Sequence, residues 1–181
     1  LKSQVWPYAA RAIAESGDPK AAHALIDRTP PDCYSCLRNR ADIDAVEKKW
    51  RGADYWFARA VQAAPSIPVG YYDWGRVLLA KGDLDGAIAK FEAAHKKGPR
   101  FADPLEMWGE ALIAKSRSDL ALAKFEEANK YAPNWGRQHL KWGEALWWSG
   151  KRDDAKKQFA IASELDLTPV EKSELARVMH G

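Results

Sequence analysis

Cysteine and methionine are scarce, two of each in 181 residues, which excludes a disulfide-dense scaffold. Apolar runs stop far short of the ~20 residues that a membrane helix needs, so a soluble chain with no membrane insertion is expected. Charge of one sign is lacking too. The formal net charge is +3, with 28 basic and 25 acidic residues interspersed, and this excludes the basic footprint of a nucleic-acid partner. Also missing are a Gly-rich phosphate loop, a His-Glu-x-x-His pair and a Gly-x-Ser-x-Gly elbow. The histidines His23, His95, His139 and His180 are scattered. No enzyme activity, cofactor or metal site is therefore expected, and no segment reads as a strand.

What is present is a period. Trp74-Gly75, Trp108-Gly109 and Trp142-Gly143 recur at intervals of 34 residues. In phase with them come Ala87, Ala121 and Ala155; Phe91, Phe125 and Phe159; and Ala94, Ala128 and Ala162. Pro99 and Pro133 close the first two units. A fixed period of this length marks stacked supersecondary units, each burying its apolar face against a neighbour. Glycine and alanine stand where helices must approach closely, and the aromatics fill the space between layers.

This Trp-Gly, Leu, Gly, Ala, Phe, Ala, Pro pattern resembles the tetratricopeptide repeat, a helix–turn–helix unit. The resemblance implies an all-α, right-handed α-solenoid of helix-turn-helix repeats with a C-terminal capping helix. We read residues 1–181 as one solenoid domain. Residues 68–101, 102–135 and 136–167 are clear repeats; 34–67 is degenerate; 1–33 is a divergent helix pair; 168–181 is the cap. In the degenerate unit Arg40-Ala41 replaces Trp-Gly, and Asp44 falls where Leu78, Leu112 and Leu146 sit, which raises the question of whether residues 34–50 pack in the standard way. Leu1 in place of Met suggests a piece of a larger protein or a processed one.

Turn signals mark the hairpins. Gly17-Asp18-Pro19 and Gly82-Asp83 supply a left-handed stop, an N-cap and, in the first case, Pro at the opening helical position. Ser118-Asp119 and Arg152-Asp153 offer equivalent caps. In the last helix, begun by Thr168-Pro169, Leu175, Val178 and Met179 are expected to cover the end of the stack, with Glu171, Lys172, Glu174 and Arg177 in water.

Cys33 and Cys36 are spaced Cys-x-x-Cys near a helix start. Leu37, where covalent haem would need His, excludes haem attachment; no further ligands support zinc; no βαβ context supports a thioredoxin-like enzyme. Two small buried residues at a helix junction are the first reading, a Cys33–Cys36 disulfide the second, and redox chemistry or a metal the last.

In the resembled family the first helices of successive units line a concave face through unit positions two, five, nine, twelve and thirteen. Spacings of three, four and seven residues do trace one helical stripe. Carried over, these positions are Val69, Tyr72, Arg76, Leu79 and Ala80; then Asp103, Glu106, Glu110, Ile113 and Ala114; then Arg137, Leu140, Glu144, Trp147 and Trp148. The surface does not resemble the family's chaperone-tail carboxylate clamp, which wants Lys and Asn where this chain has Arg38/Asp42, Tyr72/Arg76, Glu106/Glu110 and Leu140/Glu144. The acidic centres with aromatic walls suit a peptide or helix carrying a basic residue between apolar anchors. Against that, Glu106 and Glu110 read by composition alone are solvated surface charges, and at least one of Trp147 and Trp148 is core under the last helix.

The resemblance implies a non-enzymatic interaction module, a scaffold or adaptor for a protein or peptide partner, of bacterial type. A ligand-sensing regulatory domain of a larger signalling or transcription protein is the alternative, and self-association into a homo-oligomer through the tryptophan-rich ends is a third reading. Composition is compatible with cytoplasm and with periplasm.

Overall fold

The computed structural model describes the backbone of residues 2–180 and the side chains of residues 5–179. Among these are eleven α-helices and no strand. The helices group into two compact units, divided between Lys97 and Gly98.

The first unit holds three hairpins: α1 (Lys2–Glu15) with α2 (Pro19–Ile26), α3 (Tyr34–Val46) with α4 (Trp50–Ala63), and α5 (Pro68–Lys81) with α6 (Leu84–Lys97). The first helices of these pairs form a row, α1 against α3 and α3 against α5. The second unit repeats the plan with α7 (Ala102–Ala114) and α8 (Ser118–Tyr131), then α9 (Gly136–Trp148) and α10 (Arg152–Ser163). Its last helix, α11 (Pro169–His180), packs on α9 and α10. A capping box starts it: Thr168 Oγ1 accepts from Glu171 N at 3.3 Å while Glu171 Oε2 accepts from Thr168 N at 2.8 Å, satisfying two otherwise unpaired donors.

One contact explains the period. In each clear repeat the glycine of Trp-Gly faces the phenylalanine sixteen residues on: Gly75 on Phe91, Gly109 on Phe125, Gly143 on Phe159. A Cβ at Gly109 would lie 2.7 to 3.0 Å from three atoms of the Phe125 ring, closer than carbon atoms pack. The absent side chain is what allows the two helices of a hairpin to close on a fully buried ring.

The degenerate repeat packs as the others do. Ala41, in the glycine position, is buried with Ala53, Phe57 and Val77. Arg40, in the tryptophan position, is buried as well. It donates to the carbonyl oxygens of Ile26, Pro30 and Thr29 and lies over the Trp56 ring, so a guanidinium fastens α3 to the preceding linker.

Several local expectations change. Asp18 caps α2 by accepting from Ala21 N at 3.0 Å, but α8 and α10 follow Arg117 and Lys151 with no side-chain cap. Asp119, Asp153 and Asp154 lie in the first turns of these helices, where they favour the positive end of the dipole. The left-handed turn position is glycine in Gly17, Gly82 and Gly150, yet Lys48 and Ser116 adopt it at φ 59° and 58°. Cys33 and Cys36 are joined in a disulfide with Cα atoms 5.1 Å apart, the second of the three sequence readings. Cys33 is the N-cap of α3, its sulfur accepting from Cys36 N at 3.1 Å.

Candidate functional site

The expected groove residues fall in both units. In the first, Tyr72, Arg76 and Leu79 are half-buried on α5. Arg76 lies over the Tyr72 ring at 5.8 Å and reaches Asp73 Oδ1 at 3.6 Å. Asp73 itself is buried and takes a charge-assisted hydrogen bond from Arg38 of α3. Beside it, Asp42 meets Arg11 of α1 at 3.2 Å. Burial and the repulsion of Asp73 push the Asp42 carboxyl up to about 6 against the pull of Arg11, Arg76 and Arg38. This face of the first unit is thus a lattice of guanidinium and carboxylate groups that satisfy one another.

The second unit is different in sign. Glu106 and Glu110 on α7, Glu144 on α9, and Glu171 and Glu174 on α11 surround two cations, Arg137 and Lys141 of α9. Arg137 pairs with Glu110, stands 3.1 Å from Glu106 Oε1 and 3.8 Å from Glu171 Oε1. Lys141 bridges Glu144 at 3.1 Å and Glu174 at 2.6 Å. Burial alone would make Lys141 easier to deprotonate, but Glu174 and Glu144 outweigh it and hold the charge.

Glu106 is 0% exposed, so the expectation that it is a solvated charge fails. Its helix turns it inward between α7 and α9. Neither oxygen has an aligned donor; the Arg137 contact lacks hydrogen-bond geometry. As a carboxylic acid, however, Glu106 can donate to Glu110 one turn on. Burial first, then Glu110, raise its carboxyl well above the ordinary range, with Arg137 and Lys141 opposing. Burial beside a second carboxylate thus favours the neutral, protonated form of Glu106.

Glu110, Lys141, Glu144, Ile113 and Trp148 line a cleft of about 200 Å³. Trp148 is 75% exposed, so it is not the core tryptophan of the pair. Trp147 does pack into the apolar cluster with Phe159, Leu175 and Val178. Leu140 is fully buried in the same cluster and is a core residue, not part of an open surface. Glu171 and Glu174, expected in water, turn to α9; Lys172 and Arg177 do stay exposed.

The register relates most members of these clusters to one another. One period added to Arg137 and Leu140 lands on Glu171 and Glu174, and the last helix is thus a sixth first helix. One period subtracted from Tyr72 and Arg76 gives Arg38 and Asp42. Asp73 and Lys141, at unit position six, lie off the expected stripe and carry no such signal.

Residues 72–134 match the family model described as Tetratricopeptide repeat. No curated protein sequence matches the chain. Among solved structures, PilF of Pseudomonas aeruginosa superposes with a TM-score of 0.79 at 13% identity, covering 99% of this chain and 85% of that one. MamA residues 41 to the end from Desulfovibrio magneticus give 0.71 at 18% identity, covering 91% and 94%. A further MamA crystal structure gives 0.70 at 19%, covering 93% and 98%. Such folds typically serve protein–protein interaction. With the glycine–phenylalanine contact repeated in three hairpins, residues 72–134 are tetratricopeptide repeats, and the fold of the chain is that of a tetratricopeptide-repeat solenoid.

Proposed function

We propose that the second unit binds a peptide or helical segment of a protein partner, taking one basic side chain into the cleft beside Glu110 and Glu144 and an apolar neighbour against Trp148. The observation that carries this is a cleft lined by Glu110 and Glu144 against one cation, Lys141, and by an exposed tryptophan, within a cluster of five carboxyl groups to two cations. Even with Glu106 protonated, the site stays negative and favours a cation by charge, while the aromatic face adds cation–π attraction and apolar area. In this reading the chain is a non-enzymatic interaction module, as tetratricopeptide-repeat folds typically are.

Size disfavours the alternative of a sensed small molecule. Small-molecule pockets run to roughly 300–1,000 Å³, and a cleft of about 200 Å³ suits a single side chain presented by a larger partner.

Selection of displayed random peptides on the chain tests the reading. Enrichment of Lys or Arg flanked by aliphatic or aromatic residues is expected. Glu110→Gln with Glu144→Gln should weaken the selected peptides about ten- to a hundredfold, the scale of losing close charge partners. Glu106 is left intact because it is part of the buried structure. Enrichment of acidic peptides, or affinity indifferent to both substitutions, would refute the assignment.

A further inference from the structure

We propose that His23, Asp44 and Glu47 form a binding site for one divalent transition-metal ion of the zinc class, joining α2 to the turn between α3 and α4. His23 comes from α2, Asp44 from the last turn of α3, and Glu47 directly follows that helix. Their ligating atoms all lie within 4.8 Å of one another. An imidazole nitrogen with two carboxylate oxygens is a donor set that zinc takes, leaving a fourth position for water.

The repeat register supplies an independent reason to suspect function here. Asp44 occupies the slot filled by Leu78, Leu112 and Leu146 in the clear repeats, and all three leucines are buried. Packing alone calls for an apolar residue at this place. A carboxylate there, itself only 8% exposed, is unfavourable unless something compensates it.

The surroundings hold Asp44 ready. Its carboxylate nests over Gly52, so that any Cβ at that residue would collide with Oδ2. The Trp56 side chain stands beside the same carboxylate, and outer-shell neighbours of this kind help to orient a metal-ligating carboxylate. The other two ligands are adjustable. Zinc ligands at about 2.0–2.2 Å from the ion stand about 3–3.6 Å apart, so the present spread of up to 4.8 Å has to narrow by roughly an ångström on binding. The hydrogen bond of 2.6 Å between His23 Nε2 and Glu47 Oε2 then gives way to the shared ion. Lys49, 3.0 Å from Glu47 and 54% exposed, can swing into water.

Titration of the intact, oxidised chain with zinc chloride, followed by calorimetry, is the test; the disulfide keeps both sulfurs from competing. One equivalent is expected to bind saturably. His23→Ala, at a half-exposed position, should weaken it at least tenfold with an unchanged circular-dichroism spectrum. Asp44→Leu restores the repeat's own residue and should fold at least as stably while losing the ion. No saturable binding, or binding that survives both substitutions, overturns the site.

Discussion

Replacing Gly109 by Ala is expected to destabilise the chain by about 1–2 kcal/mol, although alanine is the better helix former by about 1 kcal/mol. The new Cβ would fall within 3.0 Å of three Phe125 ring atoms. Overpacking of a filled core costs about 1–3 kcal/mol; the ring is fully buried and cannot step aside, so the clash exceeds the propensity gain. Phe125→Leu, which thins the ring at that point, should cost about 1–3 kcal/mol alone by the usual cavity argument. Combined, the two should cost less than their sum, because the added methyl group then fills space the ring has left. Urea denaturation of the four proteins gives this coupling directly. A simple sum would mean that the glycine is not there for the ring.

Glu106→Gln is expected to change how stability depends on pH. The carboxyl is raised in the folded chain, so both states hold the proton at low pH. As pH rises through the ordinary Glu range near about 4.3, the unfolded chain ionises first and gains. Stability from this group is therefore complete below that range and is lost as pH climbs toward the raised folded value, with a slope of up to about 1.4 kcal/mol per pH unit. Glutamine keeps the shape and the hydrogen bond to Glu110 without titrating. Denaturation curves taken at steps from about pH 4 to 8, the span over which a raised carboxyl titrates, should thus show the variant gaining on the wild type as pH increases. Two parallel profiles would mean that Glu106 ionises in the folded chain just as it does in the unfolded one, and would overturn the raised carboxyl.

Much of this molecule was legible from residue order because its determinants are local and repeated. The hairpins need helical apolar spacing, glycine or aspartate at turns, and a glycine sixteen residues before a phenylalanine; all of these recur within a single 34-residue unit. The register even contained Glu171 and Glu174, one period beyond Arg137 and Leu140. Their partners were less accessible. Whether a glutamate at unit position five is wet or dry depends on the helix laid against it: Glu106 is sealed by α9, whereas its register equivalent Leu140 disappears into an apolar cluster and Tyr72 stays half-exposed.

The sequence by itself therefore determined the repeat, its helices and the stripe of positions from which a site could be built, since these follow from periodicity and short-range sterics. Tertiary structure alone decided which charges on that stripe are buried, which are neutralised by Arg137 and Lys141, and that Trp148 is open while Trp147 is core. It also brought His23 beside Asp44 and Glu47. The physical reason is that the energy of an ionisable or aromatic side chain is set by the dielectric and the partners around it, and these are supplied by helices from other repeats.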